Sequence, residues 1–169
     1  MTLTKERMQE IKDKANEALT KAHINVTPVD IEKIARVHKC EIISLYPTDL
    51  PEDFDCPRND FAGAIIKNIK NKNYIFVNKL DADVRMRFTI AHELGHLLLD
   101  HGEKIDCRGK FSSGETQEVE AQEFAGNLLV PEGWLRYVIK NVTTSNDRLV
   151  RVFDVSLKVI EIRRRRLGI

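Results

Sequence analysis

His92-Glu93-Leu94-Gly95-His96 sets two imidazoles four residues apart, with a carboxylate beside the first. On a helix of about 3.6 residues per turn and 1.5 Å rise, those rings stand about 40° apart around the axis and about 6 Å apart along it. Both then reach one ion held about 2.0–2.1 Å from each ring nitrogen. Glu93, one position on, reaches a water on that ion. In the His-Glu-x-x-His pattern two histidines bind zinc and the glutamate serves as general base for peptide hydrolysis. The flanks Phe88-Thr-Ile-Ala91 and Leu97-Leu-Leu99 are apolar nearly all round, so this helix is expected to be buried on most sides. A buried polar group without a partner costs on the order of 1–3 kcal/mol. A metal with its water satisfies all three side chains at once; hydrogen-bonded core histidines are the plainer alternative.

A catalytic zinc takes three protein ligands and keeps a fourth position for water, so a third ligand is needed. His101 follows His96 by five residues and, on a continuous helix, faces about 140° away. The longer metzincin pattern needs a glycine and another spacing, where this chain has Leu97-Leu-Leu99. Asp100 is on the correct face but a turn further along, which suits hydrogen bonding to a ligand histidine better than ligation. Cys107 is a further donor, in a polar stretch. In Glu118–Pro131, read as a helix, Ala121, Phe124, Ala125, Leu128 and Leu129 form the apolar stripe. Glu120 lies on that stripe, Glu123 at its edge, and Glu118, about 200° from Glu120, is expected to point outward. A lone carboxylate on an apolar stripe is costly unless it is paired or holds a metal. The expected set is therefore His92, His96 and Glu120 with a water, Glu123 being the next acid. The alternative for Glu120 is an ion pair with Arg85 or Arg87.

Several elements must position these groups. Residues 3–22 read as an amphipathic helix, and a second starts at Thr27-Pro28 with Thr27 as N-cap. Residues 41–46 are β-rich, and 47–60 form a loop with three prolines. Phe61–Ile69 and Asn73–Val77 read as a hairpin. Asp81 or Asp83 is expected to cap the long helix carrying His92 and His96, with Gly102 as its stop. A polar loop spans 102–115, then come helices at 116–130, 132–141 and about 145–166. The pattern predicts an α+β protein with a small antiparallel sheet beside the metal helix.

Composition fits an ordinary globular protein of 169 residues, 42% hydrophobic and 31% charged. Its net charge of +1 gives no global field for nucleic acid or anionic membrane. The charged, amphipathic start lacks a secretory apolar core, and no apolar run suits a membrane span. Cys40, Cys56 and Cys107, an odd number without CxxC spacing, suit reduced thiols and a cytoplasmic location.

Ala62-Gly63, Tyr74–Asn78, Arg87–Leu99 and Glu120–Pro131 together resemble the ImmA/IrrE family of intracellular zinc metallo-endopeptidases. Phe153–Ser156 with Arg166-Leu-Gly168 is similar to that family's C-terminal helical segment. The resemblance implies a zincin-like (gluzincin) core with extra N- and C-terminal helices and Zn2+ as cofactor. It also implies the glutamate before the alanine, Glu120, as third ligand. Where the family often has asparagine after that alanine, this chain has Gln122. Residues 1–142 would then form the peptidase domain, and 143–169 a helical segment for substrate recognition. The implied substrate is a helix-turn-helix repressor, inactivated to release genes of a phage, mobile element or stress response.

On this reading Glu93 moves the proton, and an edge strand of the 61–77 hairpin binds substrate by β-addition. Tyr46, Tyr74, Tyr137, His38 and His101 are open for oxyanion stabilisation. Two rivals stand beside it. One is a zinc-holding module that masks a repressor without cutting it, which would need no Glu93. The other is a DNA-binding regulator using Arg163–Arg166, a run that equally suits a solvated helix end offsetting the dipole.

Overall fold

The computed structural model describes residues 3–52, 56, 58–69, 71–101, 104–107 and 116–169. Helix α1 (Lys5–Lys21) starts where the Thr4 side chain accepts from the Arg7 backbone N–H, and it buries Ile11, Ala15, Ala18 and Leu19. Helix α2 (Ile31–Val37) begins later than expected, because Asp30 is the cap and accepts from the Lys33 N–H. The Thr27 hydroxyl instead donates to Val152 O at 2.8 Å.

The sheet comprises β1 (Cys40–Leu45), β2 (Phe61–Ile69), β3 (Lys72–Asn78) and β4 (Lys104–Cys107), in the order β1-β3-β2-β4. β2 and β3 form the expected hairpin, but β1 runs parallel to β3. The sheet is therefore mixed rather than antiparallel, and β4 interrupts the stretch expected to be loop. Side chains alternate between faces. Ile65, Ile75 and Val77 join the main core with the helices, while Phe61, Ala64 and Phe76 pack with Leu50 and Cys56. The hairpin carries neighbours on both sides, β1 along β3 and β4 along β2. β4 pairs with β2 only over Phe61–Ile65, so among the described residues the hairpin's open edge is confined to the Ile66–Ile69 end of β2.

Helix α3 (Asp83–Leu98) carries the His-Glu-x-x-His turn; its N-cap is Ala82, so neither Asp81 nor Asp83 caps it. It stops at Leu99, and Asp100 takes the left-handed conformation at φ 58°. That position favours short polar residues or glycine; Gly102, the expected stop, lies outside the described residues. Helices α4 (Thr116–Leu129) and α5 (Glu132–Asn141) match expectation. The C-terminal stretch is two helices, α6 (Asn146–Phe153) and α7 (Leu157–Leu167), broken where Asp154 turns left-handed at φ 52°. Leu135, Leu149, Phe153 and Ile160 share the main core with α1, α3 and α4. Among the described residues no helix is long and apolar enough to cross a membrane. Cys40 is a free buried thiol, but Cys56 is disulfide-bonded, which corrects the expectation that all thiols are reduced.

Candidate metal centre

Helix α4 packs between α3 and α1. It therefore has two inward edges, and its two early glutamates, about 200° apart, both find protein. The close approach to α3 depends on Gly95, the residue before the second histidine of the motif. A Cβ there would stand 3.1 Å from Ala121 Cα and 3.2 Å from its carbonyl oxygen. With glycine against alanine, the helices come near enough for a first-turn side chain of α4 to reach His92 and His96.

That side chain belongs to Glu118. His92 Nε2 lies 3.2 Å from Glu118 Oε2, His96 Nε2 lies 3.4 Å from Glu118 Oε1, and the two ring nitrogens are 3.1 Å apart. Donor atoms around a tetrahedral zinc with bonds of about 2.0–2.1 Å stand about 3.3 Å apart. The three residues thus converge at the separations such an ion imposes, all within 4.8 Å of one another. Burial pushes the Glu118 carboxyl up, but the adjoining His92 and His96 rings outweigh it and hold its pKa below the ordinary carboxylate range. An anionic carboxylate facing two imidazole nitrogens is the donor set and charge a divalent cation takes.

Glu120, the expected third ligand, goes elsewhere. Arg7 donates Nε–H to Oε1 at 2.8 Å and Nη2–H to Oε2 at 2.7 Å, and His101 Nε2 lies 2.9 Å from Oε2. The expectation that an arginine satisfies Glu120 was sound as an alternative, but the arginine is Arg7 of α1 rather than Arg85 or Arg87. Hydrogen bonding from Arg7 holds the Glu120 pKa below the ordinary value against the opposing effect of burial. Glu123 points to α7 and meets Arg163 at 3.5 Å and Arg166 at 3.4 Å.

His101 does not face away. After the chain breaks helix at Asp100, its backbone N–H bonds His96 O at 2.8 Å and its Nδ1 lies 3.0 Å from His96 Nδ1. Lys67 of β2 donates to the carbonyls of both His96 and His101. Burial depresses the pKa of His96 and of His101. Asp100, expected to support a ligand histidine, is exposed, and His101 occupies that role. Both ring nitrogens of His101 have partners, so it is not placed to meet an oxyanion. Tyr46 lies under Lys79 and Tyr137 is 65% exposed on α5. Tyr74 stands in β3 across from Glu41, and His38, which ends α2, is pushed to lower pKa by burial. The Cys107 side chain lies outside what is described.

Glu93 is completely buried. At Gly63 of β2, a Cβ would stand 2.4 Å from Thr89 Cγ2 and 3.2 Å from Glu93 Oε1. Only glycine lets the strand lie this close to the motif helix. Arg163 and Arg164 of the Arg163–Arg166 run bond within the chain, while Arg165 and Arg166 are exposed. Arg163 is 3% exposed and binds Val130 O and Asn127 Oδ1, while Arg164 binds Thr144 O and Asn146 Oδ1.

Sequence reasoning turned Glu118 outward and His101 away, and did not single out Arg7. Glu118 carried a signal: it precedes Ala121 by three and Ala125 by seven, and so shares their side of the helix as much as Glu120 shares that of Phe124.

Fold and site together define an α+β protein with an internal His-His-Glu group able to hold a metal ion. The family model of peptidase M78, the IrrE N-terminal-like domain, matches residues 51–165, a span that holds both motif helices. The chain belongs to that family. Among solved structures, a Mycobacterium tuberculosis transcriptional regulator is similar in fold, with a TM-score of 0.60 at 14% identity. The match covers 90% of this chain and 45% of that one, so this chain spans less than half of that neighbour's length. No curated protein matches the chain.

Proposed function

We propose that this protein is a zinc-dependent endopeptidase of gluzincin type, with His92, His96 and Glu118 as metal ligands and Glu93 as general base. One observation carries the reading: two imidazole nitrogens and a carboxylate, from two helices, meet within 4.8 Å beside the buried Glu93. When bound, zinc supplies a Lewis acid for the scissile carbonyl and makes its water acidic near neutral pH. The chain's own groups do the rest. Glu93 accepts a proton at a carboxylate oxygen from the attacking water and returns it to the leaving amine nitrogen. Its burial, with Gly63 leaving only a narrow gap beside Oε1, keeps that carboxylate in one place. Packing between α3 and α4 keeps Glu118 against the histidines.

The substrate we propose is a helix-turn-helix repressor, cut at one site, with the 143–169 segment contributing to its recognition. The family membership and the resemblance of 153–168 to a C-terminal helical segment support this. Leu157 and Ile162 of α7 are 45% and 40% exposed, about 140° apart around that helix. We place the protein inside the cell on the family resemblance; the bonded Cys56 does not add to that argument.

The test is metal analysis of the purified protein, followed by incubation with candidate helix-turn-helix repressors. Wild type is expected to carry about one zinc and to yield chelator-sensitive fragments. Glu93→Gln should keep zinc and lose about 100-fold or more in cleavage rate, the range for a general base. Glu118→Gln should lose zinc, and Glu120→Gln should retain it. A Glu93→Gln variant that cuts at wild-type rate would refute the role given to Glu93.

A further inference from the structure

A continuous chain of polar contacts runs from the surface of α1 to the back of a metal-facing histidine. Arg7 places two N–H groups on Glu120, Glu120 meets His101 Nε2 at 2.9 Å, and His101 Nδ1 meets His96 Nδ1 at 3.0 Å. The far nitrogen of that ring, His96 Nε2, is the one near His92 and Glu118.

The chemistry of each link fixes the next. A carboxylate that takes two donors from a guanidinium can only accept. The nitrogen of His101 facing it therefore carries the proton. A ring with a single proton then presents a bare Nδ1 to His96. His96 then donates from its own Nδ1, against the competing pull of the Glu118 carboxylate 3.4 Å from its other nitrogen, and so leaves a lone pair at Nε2. That is the tautomer a metal needs at this position. The contacts also limit rotation of the His96 ring. Lys67, bound to the carbonyls of residues 96 and 101, holds the two backbones together.

We propose that Arg7, Glu120 and His101 form a positioning relay that presets the tautomer and ring orientation of His96 for metal ligation. None of the three is a catalytic residue. The inference rests on the metal reading above, and it assigns a purpose to a helix-breaking turn, an N-terminal arginine and a glutamate that the metal leaves unused. It explains why Glu120 stands inside without binding the ion.

Two measurements test it. The first is nitrogen-15 NMR of His96 in metal-free protein, which reads the tautomer directly. Wild type is expected to show the Nδ1–H form, and His101→Ala a mixture with the Nε2–H form. The second is zinc affinity by competition with a chromophoric chelator. His101→Ala is expected to weaken zinc about 10- to 100-fold, the range for lost hydrogen-bond support behind a ligand histidine. His101→Asn, which can keep an acceptor oxygen facing His96 Nδ1, should recover most of the affinity, and Arg7→Met should weaken zinc about 3-fold. The Arg7 variant also guards against a collapsed His101 variant, because Arg7 lies at the surface end of the relay. An unchanged tautomer and unchanged affinity in His101→Ala would overturn the relay while leaving the metal centre intact. A wild-type protein that binds no zinc would overturn the metal reading, and the His96 tautomer would still judge the relay.

Discussion

Two arginines from opposite ends of the chain grip helix α4, and they grip it for different ends. Arg7 of α1 is 35% exposed and sets two donors on one carboxylate, Glu120. Arg163 of α7 is 3% exposed and spreads its donors over Val130 O, Asn127 Oδ1 and Glu123 Oε1. The first contact continues through His101 to His96. The second ends in the last turn of α4, where Val130 O is a carbonyl beyond the helix's own hydrogen bonds and needs a donor. Gly126 makes room for it, since a Cβ there would approach Arg163 Cδ to 3.2 Å. Similar chemistry thus serves two tasks. One arginine tunes the site and the other holds the helix that carries it.

That contrast breaks cleanly if stability and metal binding are measured together. Arg163→Ala should have the largest effect on stability, about 3 kcal/mol, because it strands Asn127 Oδ1 and Val130 O in the interior and leaves Glu123 with only Arg166 and the Asn127 amide. Chemical denaturation should show it, with the zinc affinity of the folded fraction unchanged. Gly95→Ala should cost about 2 kcal/mol by overpacking. It should weaken zinc as well, because the methyl pushes on the Ala121 backbone and so moves Glu118 from the histidines. Arg7→Met should cost only about 1 kcal/mol, since the pair is partly exposed, yet it should weaken zinc measurably. If Arg163→Ala lowers zinc affinity more than Arg7→Met does, the division of labour is wrong.

The smallest effect sharpens the Arg7 side of the comparison. Glu132 of α5 binds Lys12 of α1 at 2.7 Å and Arg136 at 2.8 Å. Those partners, Lys12 first, lower its pKa from 4.5. A depressed carboxyl adds stability above its unfolded pKa and loses it as pH falls through the folded one. Stability should therefore drop below about pH 4.5, and Glu132→Gln should flatten that part of the acid slope by less than 1 kcal/mol. Zinc binding at pH 7 should not respond, because this tie between α1 and α5 does not touch the relay.

Local order was the legible part. The hairpin, α1, α4 and α5 follow from apolar periodicity and turn residues, because those signals act within a few residues. The parallel pairing of β1 with β3 was not legible, since strand periodicity says which face is buried and not which neighbour binds. Four-residue β4 is too short to show a pattern. The split between α6 and α7 turns on Asp154 adopting a left-handed backbone, which aspartate tolerates but does not announce.

The site divides along the same line. His92, Glu93 and His96 sit within two turns of one helix, so their spacing alone fixes where their side chains stand relative to each other. Nothing so local ties that turn to α4. Periodicity puts Glu118 and Glu120 on different edges of that helix, and each edge is a proper inside only once a partner is known. Tertiary packing supplied the partners: α3 along one edge, brought close by Gly95, and α1 along the other, bringing Arg7. It also turned His101 back onto His96 after the helix ended at Leu99. The residues that share a turn were written in the chain, while those joined across helices were settled by which surfaces met.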